Sequence, residues 1–102
     1  MRRDIFQAIA DPTRREIITI LSEERMNLNS VADRFDISRP AISKHIKILN
    51  ECGLVKITQS GRERYCEIKP EKFKEVDDWL DPFRLMWEDR FNQLDELLTK
   101  QK

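Results

Sequence analysis

A chain of 102 residues with 39% hydrophobic content can close one modest core, and its 19 basic and 19 acidic residues cancel, so a global cationic excess is excluded as the source of any affinity for polyanions. Two cysteines at irregular spacing exclude a disulfide framework. No apolar run approaches the roughly 20 residues that span a bilayer, and the opening Met-Arg-Arg-Asp-Ile-Phe-Gln lacks the apolar centre of a signal peptide, so the sequence predicts a single domain over 1–102, cytoplasmic, with reduced thiols and no membrane partner.

The first predicted element is a short amphipathic helix over 3–10 with Ile5, Phe6 and Ile9 on one side. Asp11 then offers an N-cap with Pro12 at the first helical position, and Ile17, Ile18 and Leu21 carry the apolar stripe of a second helix to about Ser22. Met26-Asn27-Leu28 is long enough only for a connector or a three-residue strand. Asn29 or Ser30 is expected to cap a third helix that turns Val31, Ala32 and Phe35 inward and ends near Asp36.

Only about three residues then lead into the fourth helix, the spacing of a helix-turn-helix. Ser38 caps it, Pro40 lies in its first turn, and Gly53 supplies the left-handed residue that stops it. Ile42, Ile46 and Leu49 fall on one side, whereas Pro40, Ser43, Lys44 and Lys47 fall on the other. That outer side carries small hydroxyls and cations and no acid, which suits a negatively charged groove. After Gly53 the period changes from helical to alternating. Leu54 to Thr58 and Arg64 to Ile68 read as strands around a turn at Gln59-Ser60-Gly61-Arg62, a hairpin with a basic tip. Glu71 to Leu80 reads as a helix with Phe73, Val76 and Leu80 inward. Asp81-Pro82 repeats the cap-plus-proline device, which predicts a break or sharp kink and a fresh helix over 82–100 whose Trp87, Phe91, Leu94 and Leu98 form a coiled-coil-like seam.

Charge is unevenly placed. Ser38 to Arg64 holds six basic residues against two acidic ones, and Glu71 to Lys102 six against nine. A basic middle and an acidic tail fit one anion-facing edge and a separate face for other contacts. Ser43 and Lys44 lie mid-face for base edges and phosphates of double-stranded DNA, while Arg39 and Lys47 border that face and are expected at phosphates. Pro40 either touches a thymine methyl or simply starts the helix, and Arg62 is expected to touch DNA from the hairpin tip. Arg14 and Arg15 are balanced between phosphate contact and internal salt bridging. His45 projects to the edge of the buried side as a hydrogen-bonded structural histidine, Cys52 and Cys66 read as small core residues, and Trp79 and Trp87 as core or interface anchors.

An enzyme is excluded on geometry, because His45 and Cys52 stand two helical turns apart, roughly 10 Å, too far for a thiol–imidazole pair. Helix-turn-helix followed directly by a hairpin is the winged-helix arrangement, and a winged-helix protein–protein module without DNA binding remains an alternative, as does a regulator that senses a non-metal ligand or thiol redox state. The run of Ser43, Lys44 and Lys47 without an intervening acid favours DNA. The apolar stripes at the two ends, Ile5, Phe6 and Ile9 with Trp87, Phe91, Leu94 and Leu98, exceed what so short a chain buries alone and predict a two-fold homodimer. Its reading helices would lie roughly 34–36 Å apart on a pseudo-palindromic operator.

Asp11-Pro12-Thr13-Arg14-Arg15, the run Ser38 to Leu49, Gly53-Leu54-Val55 and Gly61-Arg62-Glu63-Arg64-Tyr65 together resemble the ArsR (arsenic-repressor) family of bacterial transcription regulators. The resemblance implies a mostly α winged helix-turn-helix of five to six helices with a two-stranded wing, a homodimeric repressor whose fourth helix enters the major groove. It places Ser38, Arg39, Pro40, Ser43, Lys44, Lys47, Arg62 and Arg64 at DNA and the first and last helices at the dimer interface. It also marks a departure: Asn27 and Asn29 stand where metal-sensing relatives carry Cys-x-Cys, and the single histidine is on the reading helix. No cofactor and no metal are therefore expected.

Overall fold

The computed structural model describes residues 4–100, so the expected first helical residue, residue 3, lies outside the described residues. Helix α1 (Ile5–Ile9) starts in a capping box: the Gln7 amide donates to Asp4 Oδ1 at 2.8 Å, and the Asp4 amide to Gln7 Oε1 at 3.0 Å. Five residues are too few to hold a helix in water. Burial of Ile5 and Ala8 supports α1 from below, and two arginines of the next helix support it from its end.

Arg14 donates from Nε to the Ala8 carbonyl at 2.6 Å and from Nη2 to that of Gln7 at 3.1 Å, while Arg15 Nη1 donates to the carbonyls of Ile9 at 2.8 Å and Ala10 at 3.1 Å. These acceptors are carbonyls at the end of α1, of which that of Gln7 also accepts from the Ala10 amide at 3.3 Å, and a cation there is also favoured by the helix dipole. The two expected roles of Arg14 and Arg15 thus give way to a third, in which both guanidinium groups cap a neighbouring helix. Helix α2 (Pro12–Glu23) has Asp11 as its N-cap, accepting from the Arg14 amide at 3.1 Å. Partial burial raises the Asp11 pKa, but the Arg14 amide and the charges of His45 and Arg14 outweigh it and hold the carboxyl below its ordinary value.

Strand β1 (Met26–Asn27) leads directly into α3 (Leu28–Ala32). The cap of α3 is Asn27, whose side chain accepts from the Ser30 amide at 2.7 Å, in place of the expected Asn29 or Ser30. Helix α3 ends at Ala32, four residues before the expected Asp36, so six residues and not three separate it from α4 (Arg39–Glu51). The Arg34 and Phe35 amides close tight turns onto Val31 and Ala32, which keeps Phe35 packed against the core although the α-helix has stopped.

The Ser38 hydroxyl caps α4 by accepting from the Ala41 amide at 3.3 Å. At the other end Gly53 takes φ +79°, and the Leu54 amide returns to the Leu49 carbonyl at 3.0 Å. Ile42, Ile46, Ile48 and Leu49 of α4 pack with Ile17, Leu21, Val31, Leu54, Val55 and Cys66 to form the core. The wing is a three-stranded antiparallel sheet in the order β1-β3-β2, with β2 Val55–Ser60 and β3 Glu63–Ile68. The short β1 adds a third strand to the expected hairpin by pairing Met26 with Cys66 and Asn27 with Tyr65. Ser60 pairs with Glu63, so the turn is the two residues Gly61-Arg62 and not the expected four; Gly61 at φ +63° supplies the left-handed position that such a turn requires.

A 3₁₀ turn (Pro70–Phe73) replaces the first turn of the expected helix from Glu71 and runs straight into α5 (Lys74–Lys100). The break predicted at Asp81-Pro82 does not occur, and the expected helix over 82–100 is the second part of α5. Pro82 removes the helical hydrogen bond to the carbonyl of Asp78, an exposed residue where water can take the place of the missing donor. Arg84 spans the site, binding Asp77 and, at 2.8 Å, Asp81. Trp79 packs against Phe83 across the same turn, ring centroids 5.1 Å apart and the planes tilted by 56°. The far half of α5 projects from the body. The radius of gyration is 18.6 Å, against about 13 Å for a compact domain of this length. Among the described residues no helix is long and apolar enough to cross a membrane.

Candidate nucleic-acid interface

The stripe that buries Ile42, Ile46 and Leu49 forces the opposite face of α4 outward. Lys44, Lys47, Ser38, Arg39 and Pro40 are exposed, and Ser43 is half-buried. Arg39 is engaged from α3: its guanidinium meets Asp33 at 3.2 Å and Asn29 at 3.4 Å, both ends well exposed. Such a surface pair is weak enough to exchange for a phosphate. Lys44 and Lys47 make no ion pair among the described residues.

The sheet brings the second set of candidates beside the first. Ser43 and Lys47 of α4 share one groove with Arg64 of β3, and Arg62 and Arg64 share a second depression with Asn27 and Asn29. Ser38, Pro40 and Lys44 lie outside both grooves. A face of two helical turns and a cationic wing, without an opposing acid on α4, can follow a duplex backbone and present side chains to base edges.

The wing has two supports that sequence reading missed. The Arg25 guanidinium lies 4.3 Å over the Tyr65 ring, and the Tyr65 hydroxyl donates to Glu63 at 2.7 Å. That hydrogen bond, with the nearby carboxylate charge, pushes the Tyr65 pKa above its ordinary value. It also holds the one acid of the wing tip toward Tyr65. Only pairing of β1 with β3 could have flagged Arg25, since β1 follows it directly.

His45 is half-buried with Nδ1 3.3 Å from Arg14 Nη1, the structural role expected of it. Cys52 and Cys66 are both buried, and burial pushes the Cys66 thiol up from its ordinary value. Asn27 and Asn29 serve as the α3 cap and as an acceptor for Arg39. Among the described residues no group of three or more His, Cys, Asp or Glu is placed to hold a metal ion.

Of the residues expected at a dimer interface, Ile5 is a correction: at 2% exposure it belongs to the core of its own chain, and Ile9 is half-buried against it. Phe6 is half-exposed, edge-on to Trp79 at 5.5 Å. Trp87, Phe91, Leu94 and Leu98 stand in solvent on α5, as do Leu85, Met86 and Leu97.

Residues 11–56 match the family model described as bacterial regulatory protein, arsR family. The chain is 31% identical over 77 residues to the transcriptional repressor SdpR of Bacillus subtilis (strain 168), spanning 76% of this chain and 86% of that protein. The chain belongs to the ArsR family. An uncharacterized HTH-type transcriptional regulator of Methanocaldococcus jannaschii is 34% identical over 74 residues, spanning 72% of this chain and 83% of its own. The crystal structure of an ArsR family transcriptional regulator superposes with a TM-score of 0.74 at 39% identity, over 82% of this chain and 87% of that one. The chain is thus a transcriptional regulator, not an enzyme, and its α3–α4 pair is the DNA-binding helix-turn-helix of an ArsR-family winged helix.

Proposed function

We propose that this ArsR-family regulator is a cytoplasmic homodimeric repressor of a pseudo-palindromic operator and that it works without a metal. Ser43 and Lys44 read base edges, Ser38, Arg39, Pro40 and Lys47 set the register of α4 on the backbone, and Arg62 and Arg64 hold the flanking duplex. The observation that carries this reading is the acid-free outer face of α4 lying against the cationic wing.

Dimerisation through Phe6 of α1 and Trp87, Phe91, Leu94 and Leu98 of α5 is supported by the exposed apolar stripe, whose size on so small a chain calls for a covering surface. Metal independence is supported by the use of Asn27 and Asn29 in local hydrogen bonds. A thiol switch is disfavoured by the burial of both cysteines and the raised pKa of Cys66.

Retention of genomic DNA fragments on the protein at two salt concentrations tests the reading. The expected result is enrichment of a pseudo-palindrome with half-sites one helical turn apart, including the promoter of the protein's own gene. Retention no better than that of random DNA would contradict sequence-specific binding and favour a protein–protein module.

A further inference from the structure

Between α4 and the sheet lies a cavity of about 340 Å³, within the lower part of the roughly 300–1,000 Å³ range of small-molecule sites. Ile46 and Cys66 form its floor, both shut off from bulk water, and Leu28 and Ile57 form half-buried apolar walls. Ile57 stands directly opposite Cys66 on the neighbouring strand, so the floor and one wall are fixed by the sheet register. Burial keeps the Cys66 thiol protonated, and the floor therefore carries no charge.

The mouth is different in kind. It carries the Ser43 hydroxyl and the cations of Lys47 and Arg64. No described carboxylate lies within ion-pair distance of either cation, whereas the neighbouring Arg39 has Asp33. An apolar body would take water off the half-buried walls Leu28 and Ile57, and an anionic head would gain two charge-assisted contacts at the rim. Inorganic phosphate has no use for the floor, and a neutral hydrocarbon leaves the rim cations as they were.

We propose that this cavity binds a small organic monoanion, an aryl or medium-chain carboxylate, with its apolar body between Leu28 and Ile57, above Ile46 and Cys66, and its carboxylate between Lys47 and Arg64. Occupancy then withdraws from DNA two cations of the proposed interface, so the bound anion acts as an inducer by competition. This regulatory half rests on the proposed DNA reading, and the binding half does not.

The test uses 2-naphthoate as probe and 2-naphthamide as its uncharged match. Titration of the full chain without DNA, followed by methyl NMR, is expected to give saturable shifts at Leu28, Ile46 and Ile57, with the amide weaker by about tenfold or more for want of the charge. Leu28→Trp, which fills the cavity from a residue outside the proposed DNA contacts, should abolish the shifts while leaving the affinity for random DNA unchanged. If that variant does not fold, the position of the shifts in the unaltered chain decides.

Naphthoate at ten times its dissociation constant should weaken DNA binding by about tenfold, as a competitive ligand must. Shifts that do not saturate or that map elsewhere, equal binding of the amide, or full binding to a folded Leu28→Trp variant would each overturn the site. Saturable binding with unchanged DNA affinity would overturn the competition. Saturable binding by a chain that retains no DNA would overturn the proposed function and leave the carboxylate site standing.

Discussion

Leu49 on α4 and Phe91 on α5 are both apolar residues of amphipathic helices, yet Leu49 is 0% exposed and Phe91 68%. The first belongs to a stripe that its own chain covers with α2, α3 and the sheet; the second belongs to a stripe left bare on a helix that extends past the body. Helical periodicity reports that a face wants burial and is silent on what buries it. The two regions therefore carry different free energies. One sets the stability of the folded chain, and the other is available for association.

The largest effect is expected on the covered side. Leu49→Ala should lower unfolding stability by about 2–5 kcal/mol, the range for a buried leucine that leaves a cavity, with a fall in Tm that does not depend on protein concentration. A concentration-dependent fall would mean that core and interface are one cooperative unit. Phe91→Ala should instead weaken self-association by about 2 kcal/mol, roughly thirtyfold in the dimer constant, as for an aromatic interface anchor. Sedimentation of the full chain measures it, and an unchanged dimer would remove Phe91 from the contact.

Arg14→Ala probes the covered side where α1 joins it, since it removes the guanidinium bound to the Gln7 and Ala8 carbonyls. A loss of about 1.5–3 kcal/mol is expected, in line with hydrogen bonds from a charged donor, and amide exchange in α1 should rise before that in α4. Uniform exchange would show that α1 has no separate stability. The smallest effect is at the cap. Asp11→Ala should cost about 1 kcal/mol at neutral pH. The lowered Asp11 pKa means that its charged form stabilises the fold; this contribution is fully present above the ordinary carboxylate value and is lost as pH falls through the lowered one. The deficit of the variant in chemical unfolding should shrink on acidification, and a deficit growing toward low pH would reverse the assignment.

Much of the covered region was legible because its signals are local. Ser38, Pro40 and Gly53 each specify the ends of α4 through their own side chains or backbone freedom, and the Ile42–Ile46–Leu49 spacing fixes its buried face. The misplaced features depend on non-local partners. Asn27 outcompeted Asn29 and Ser30 as the α3 cap because pairing with Tyr65 of β3 extends its backbone into cap geometry. Arg14 and Arg15 read as balanced between phosphate contact and internal salt bridging because nothing in their own helix shows the carbonyls at the end of α1. At Asp81-Pro82 the local cap signal was genuine but lost to the contacts of Trp79 and Arg84 that carry α5 past the proline. Around the candidate DNA face, the order of residues along α4 was readable, whereas the groove shared by Ser43, Lys47 and Arg64 emerges only once the sheet is docked.

The most direct test is equilibrium binding of the Ser43→Ala, Lys44→Ala double variant to an operator fragment and to random DNA of equal length at the same salt. Loss of operator preference by about 1–3 kcal/mol per base contact, with random-DNA affinity within a few-fold and unchanged thermal unfolding, is the result expected if the outer face of α4 reads sequence. An operator-to-random ratio equal to that of the unaltered protein would contradict it.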